Sequence, residues 1–163
     1  MLLNSRGNGG SGKSTLARKF LAFPHEPILG CIGPKRPEAC IAIPGERPAY
    51  LLGPYQTACG GCDAIQPYDA LVELIQKYAP RGHVVFEGAL ISDCYGRIGE
   101  FLENVNSTVA FLDTPLEECL RRIQSRREAR GDTRPFNKTN TINRHERIKK
   151  LKSSRCGRRG TTS

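Results

Sequence analysis

Residues 7–14, "GNGGSGKS", sit between the short apolar opening "MLLNSR" and the segment "TLARKFLAF", and they fit the spacing G-x-x-x-x-G-K-[ST] through Gly7, Gly12, Lys13 and Ser14. Glycines at this density let the backbone curl until its N–H groups converge on phosphate oxygens, and a following helix adds a positive N-terminal end. In such a loop Gly7, Asn8, Gly9, Gly10, Ser11, Gly12 and Thr15 supply backbone or hydroxyl contacts. Lys13 reaches the β- and γ-phosphates and Ser14 is a ligand for Mg²⁺. The context agrees with the motif, because an apolar segment precedes it and a helical pattern with Leu16, Phe20 and Phe23 follows, ended by Pro24. A nucleoside triphosphate is therefore the expected ligand.

Outward from this loop, the chain alternates between β-type and helical segments. "CIAIP" and "AYLLG" flank "GERP" as a hairpin or strand pair. Pro67 opens a helix with Leu71, Leu74, Ile75 and Tyr78 on one face. "HVVFEG" reads as a buried strand, residues 97–104 as a short helix and "STVAFLD" as another strand. "TPLEECLRRIQSRREAR" reads as a helix with Thr114 as its cap, Pro115 at its first position and Glu118 closing a capping box. A polar stretch, "GDTRPFNKTNT", separates it from a final basic helix at about 142–152. Strands followed repeatedly by helices indicate an α/β domain with a mainly parallel sheet, whose site lies at the strands' C-terminal ends.

Charge is unevenly placed along the 163 residues. Residues 1–120 hold 10 Lys/Arg against 13 Asp/Glu, and residues 121–163 hold 15 against 3. That basic quarter is a footprint for phosphate-rich partners, nucleotide or nucleic acid. Its end, "SSRCGRRGTTS" at 153–163, lacks apolar periodicity and reads as a solvated or disordered basic tail. No apolar run approaches the roughly 20 residues that a membrane span needs, so a cytoplasmic protein without a membrane partner is expected. Seven cysteines with irregular spacing argue for reduced thiols rather than a disulfide framework.

Two reaction classes fall away on motif grounds. A GTPase switch requires an N-K-x-D guanine reader, and "NKTN" places Asn140 where aspartate is needed. A motor or multidomain ATPase requires a second module. Phosphoryl transfer, by contrast, asks for a lysine, Mg²⁺ and one or two arginines around the moving phosphoryl. "RRIQSRR" supplies Arg122 and Arg126 four positions apart on one helix face, with Arg127, Arg130 and Arg134 following. A hydroxyl acceptor also needs a carboxylate near the γ-phosphate. Glu87, ending "HVVFE", is the candidate for metal or base duty, and Asp63, ending "CGGCD", for acceptor contact; which of them is the base stays open. Asp113 reads as a structural or capping carboxylate.

With the loop and the arginine string in place, the chain resembles the nucleoside, nucleotide and polynucleotide kinases of the P-loop group, in which an R-I-x-x-R-R string begins a lid. The resemblance implies a three-layer fold, a mainly parallel sheet with helices on both faces, and an arginine-rich lid at about 127–141 within a kinase domain spanning 1–152. It implies ATP and Mg²⁺ as cofactors and no obligate protein partner. "GPYQTACGGCD", "VVFEGALISDCYGR" and "FLDTPLEECLRRI" further resemble small bacteriophage kinases, which implies action in the host cytoplasm on DNA. Within that group the acceptors include the hydroxymethyl group of 5-hydroxymethylpyrimidines in DNA, polynucleotide 5′-hydroxyls and free nucleosides or nucleotides, and the first is ranked foremost. A base hydroxymethyl must leave the stack to reach such a site, and Tyr55 or Tyr95 is a platform for it or a packing residue. The group usually closes with a further apolar strand that brackets the adenine, which the basic end of this chain does not offer, so ATP is only the default donor. A nucleic-acid-binding NTPase module without kinase activity is the alternative of another class.

"ACGGCD", with Cys59 and Cys62, is half of a metal site at most. Structural zinc wants four ligands, and Cys31, Cys40 and Cys94 stand at undistinguished spacings. A redox pair would open a helix in a different context. The interest of the segment lies in its glycines and in Asp63.

Overall fold

The computed structural model describes residues 1–29, 37–42, 46–55, 61–65, 68–88 and 105–156. The expected helix at 97–104 and Tyr95, Cys31, Cys59, Cys94 and Pro67 lie outside these residues. Six strands, β1 (Leu2–Arg6), β2 (His25–Leu29), β3 (Pro37–Ala42), β4 (Ala49–Leu52), β5 (His83–Glu87) and β6 (Ser107–Phe111), form one sheet in the order β2-β3-β4-β5-β1-β6. The ladders β4–β5, β5–β1 and β1–β6 are parallel, and β2–β3–β4 are antiparallel. β5 and β1 occupy the middle, which explains why "VVF" is apolar without interruption: both of its faces are covered.

Strand alternation divides the core in two. Leu2, Tyr50, Leu52, Val84 and Phe86 face the apolar side of α2 (Tyr68–Tyr78), where Leu71, Leu74, Ile75 and Tyr78 are buried as their spacing requires. Leu51 and Val85 point the other way, toward Ala17 of α1 (Lys13–Arg18) and Tyr55. The result is an α/β sandwich with helices on both faces of the sheet. Tyr50 and Tyr78 stack at 4.7 Å between ring centroids, so α2 is held by an aromatic pair as well as by aliphatic burial. Among the described residues no helix is long and apolar enough to cross a membrane.

Several expectations are corrected. α1 is a six-residue helix followed by a 3-10 turn at Phe20–Ala22, and its expected apolar stripe is buried only in part: Phe20 packs against the core, whereas Leu16 and Phe23 are 38% and 52% exposed. The helix is seated through buried Ala17, with Phe20 packed beside it. β2 lies outside the strands expected from the sequence; as an edge strand it tolerates Pro27, which lacks an N–H donor. Helix α3 (Leu116–Glu128) has no capping box. Pro115 stands at the cap position, Thr114 Oγ1 donates to the Ser11 carbonyl at 2.9 Å, and Glu118 turns toward Arg121 and Arg122. The last helix, α4 (Thr139–Cys156), extends beyond 142–152 at both ends. Ser153 and Ser154 continue it, with hydroxyls bonded to the Lys149 and Leu151 carbonyls, so the first part of the supposed tail is helical.

Candidate active site

β1 and β5 run side by side with Ser5 opposite Glu87, and the glycine-rich loop 7–12 leaves the sheet at that edge. The loop is fixed from several directions. Asn8 Oδ1 accepts from the Gly9 N–H at 2.9 Å, Asn8 Nδ2 donates to the Thr141 carbonyl of α4 at 3.1 Å, and Thr114 secures Ser11. Gly10, at φ 79°, lies against α3 so closely that a Cβ would stand 2.5 Å from the Cys119 carbonyl oxygen. Only glycine serves there. The loop is thus clamped between the start of α3 and the start of α4, contacts that the motif alone does not reveal.

Lys13 is 6% exposed, and its Nζ donates to the Gly7 and Asn8 carbonyls at 2.8 and 2.9 Å. Burial lowers its pKa below the ordinary 10.5, opposed by the charges of Glu87 and Asp63. Ser14 Oγ donates to Glu87 Oε1 at 2.8 Å. Glu87 is 2% exposed; burial raises its pKa, while the Ser14 bond and Lys13 pull it down. The structure therefore brings together Lys13, Ser14, Glu87 and Asp63, three segments of sequence meeting at the ends of the two central strands.

Asp63 is carried by a 3-10 turn, Cys62–Ala64. Gly61, before it, has φ 85°, and a Cβ at this position would fall on Glu87 Oε1 and stand 2.6 Å from the Glu87 carbonyl oxygen. Cys62 is fully enclosed. Its Sγ donates to the Leu52 carbonyl at 3.7 Å, and burial pushes its pKa well above the usual thiol range, so it packs as a small apolar group rather than serving as a thiolate. Among the described residues no group of three or more His, Cys, Asp or Glu is placed to hold a metal. Tyr55 is buried in the α1-side core, which assigns it a packing environment.

Between α1 and α3 lies a cavity of about 690 Å³. Gly10, Gly12, Ser14 and Thr15 line it at the loop end, and Arg122 and Arg126 reach it from α3. Arg122 Nη1 donates to the Gly10 carbonyl at 3.3 Å while its Nε is held by Glu118 at 2.6 Å. The two arginine neighbours hold the Glu118 carboxyl down to a pKa of about 2. Arg127 and Arg134 are engaged elsewhere, both with Asp132, and Arg127 also with the Arg134 carbonyl. Asp113 is a structural carboxylate, paired with Lys152 of α4 at 2.6 Å. Sequence reasoning missed Arg18, Lys19 and Arg121, which also line the cavity, and Glu118 as the holder of Arg122. The signal was present in part: a basic pair one turn after the loop, on a helix whose Leu16 is not buried.

The lysine's position has a pH consequence. Its folded-state pKa lies below the unfolded value, so the fold binds fewer protons than the open chain and gains stability as pH rises through that window. Function runs the opposite way if the ammonium must face phosphate. The base limb of kcat/KM is then expected below 10.5, and in Lys13→Arg it should move out of the measurable range, because guanidinium stays charged.

No family model and no solved structure matches the chain. Curated relatives do. The chain is 37% identical over 138 residues to a protein of Pseudomonas phage PaMx11 named 5-hmdU DNA kinase, an overlap covering 82% of this chain and 73% of the relative. It is 31% identical over 159 residues to a protein of the same name from Pseudomonas phage M6, covering 92% and 82%. A third protein so named, from Delftia phage PhiW-14, is 24% identical over 85% of this chain and 58% of its own length. Identity at this level across most of both chains places the sequence in a family: the chain belongs to the phage proteins that carry the name 5-hmdU DNA kinase.

Proposed function

We propose that this chain is a P-loop phosphotransferase that moves the γ-phosphoryl of a nucleoside triphosphate, ATP by default, to the hydroxymethyl oxygen of 5-hydroxymethyl-deoxyuridine in DNA. The observation that carries the chemistry is the convergence of Lys13, Ser14, Glu87 and Asp63 beside the glycine-rich loop. The relatives' name supplies the acceptor. In this reading Gly7–Thr15 cradle the phosphates, Lys13 neutralises the transferring group, and Arg122 and Arg126 clamp it, with residues 127–141 as the lid. Asp63 orients the acceptor hydroxyl and receives its proton. As the oxygen–phosphorus bond forms, the bond from Pγ to the β-phosphate bridge breaks and the nucleoside diphosphate leaves.

A buried carboxylate bonded to a serine hydroxyl is a hard oxygen pair of the kind Mg²⁺ accepts when phosphates complete its shell, so Ser14 and Glu87 fit as its holders. Bound there, Mg²⁺ would supply charge neutralisation of the phosphate oxygens. The basic surface of α3 and α4 supports DNA as the carrier of the acceptor, with affinity that falls as salt rises.

One labelling experiment tests the reading. Hydroxymethyl-deoxyuridine duplex, unmodified DNA with 5′-hydroxyl ends and free nucleosides are offered together with γ-labelled ATP. Label is expected on the modified duplex, at a position stable to removal of the strand ends. Label confined to ends or to free nucleosides would move the acceptor elsewhere, and no label on any of them would favour a nucleic-acid-binding NTPase.

A further inference from the structure

The cations around the cavity stand on two different walls. Lys13 of the loop, with Arg122 and Arg126 of α3 and Mg²⁺, supplies what a transferring triphosphate requires. Arg18 and Lys19 line the other wall, at the end of α1. Arg18 follows Ser14 by four residues, which puts it on the same helix face and about 6 Å farther along the axis. It is half-buried and lies within electrostatic reach of Glu87, so it stands on the carboxylate side of the site. The core takes Ala17 and Phe20, whereas Thr15, Leu16 and Lys19 are left exposed, and this wall is open to a partner.

A hydroxymethyl group on a base within DNA does not arrive alone. When the nucleotide leaves the stack, its sugar and the phosphates on either side of it come along. Those phosphates then lie within a nucleotide's length of the reacting oxygen. The protein surface next to Asp63 and Glu87 must accept their charge, and it must do so away from the cations that hold the donor.

Resting on the reading of DNA as the acceptor, we propose that Arg18 and Lys19 form a contact for the DNA backbone and hold phosphates that flank the modified nucleotide. Such contacts carry no sequence information; they fix the register of the strand, here with the target base turned toward Asp63.

The test reads the affinity for a hydroxymethyl-deoxyuridine duplex at several salt concentrations, by fluorescence anisotropy, beside KM for ATP in the labelling reaction. Each phosphate contact contributes about 0.9 to the slope of log affinity against log salt. Lys19→Gln is expected to lower the slope by about that amount, and the double change Arg18→Gln with Lys19→Gln by about twice as much. Arg18→Lys should keep the parent slope, because the charge stays. Arg81→Gln, which removes one exposed charge between α2 and β5 at the opposite end of the sheet, should also leave it unchanged. KM for ATP should stay within about twofold in every variant, since no donor contact is removed. An unchanged slope in the double variant, an equal change in Arg81→Gln, or a raised KM for ATP with DNA affinity kept would overturn the proposal and leave the kinase reading intact. The expected slopes without phosphoryl transfer would leave the contact standing and overturn the kinase reading. A parent protein that binds no DNA would overturn both.

Discussion

Lys13→Ala is expected to lower phosphoryl transfer by about 10²–10³-fold, the scale of removing one pre-placed electrostatic contact from a transition state. The side chain is already inside the curl of the loop, held to the Gly7 and Asn8 carbonyls and shielded from water, so its charge is not weakened by solvent. Phosphoryl transfer gives the protein little covalent work; charge and position account for most of the rate. Stability should change little by comparison. The substitution loses two hydrogen bonds worth about 1–3 kcal/mol each but also removes a buried cation whose desolvation the fold was resisting. A thermal melt beside the rate measurement separates the two effects. Transfer within about tenfold of the parent, from a protein that melts normally, would remove Lys13 from the chemistry and with it the loop's proposed role.

What the sequence makes legible is local. The glycine loop is a spacing, the α2 face is a spacing, and the central strands are uninterrupted apolar runs, so each can be read within a dozen residues. The errors arise where a distant contact outweighs the local pattern. Leu16, Phe20 and Phe23 look like a helical stripe, but only Phe20 of the three packs on the core, beside Ala17, which the spacing does not single out. Thr114 and Glu118 have capping-box spacing, yet the loop carbonyl and two arginines are better partners. Asn8 meets Thr141 across 133 positions and Ser14 meets Glu87 across 73, distances at which no periodicity operates. Arg6, fully buried at the end of β1, is invisible for the same reason: nothing in "LLNSRG" distinguishes an interior arginine from a surface one. The candidate carboxylates were legible as strand and loop ends, but their joint effect on Lys13 was not.

Gly61→Ala is the second change with a large expected effect, because it strikes the fold and the site through one atom. At φ 85° and ψ −164° the backbone sits in a region nearly reserved for glycine, so an alanine costs about 1–3 kcal/mol, and its Cβ would fall on the Glu87 carboxylate and crowd the Glu87 carbonyl. Overpacking of this kind adds roughly 1–3 kcal/mol, so the melting temperature should fall by about 5–15 °C. Gly131→Ala is the comparison for stability: φ there is 68°, nothing lies within 4 Å of the added Cβ, and only the backbone cost should appear. Both variants place a Cβ at positive φ, and the Gly61 change alone adds the clash. Relief of the clash requires Glu87 to leave Ser14 or the 61–65 turn to lift away, and either movement separates Asp63 and Glu87 from Lys13. Transfer by Gly61→Ala, measured well below its melting temperature, should consequently drop by about 10²-fold or more, the loss expected when reacting groups are misplaced by an ångström. If Gly61→Ala melts like Gly131→Ala and keeps its rate, the turn does not seat the carboxylate and Glu87 owes its position to β5 alone.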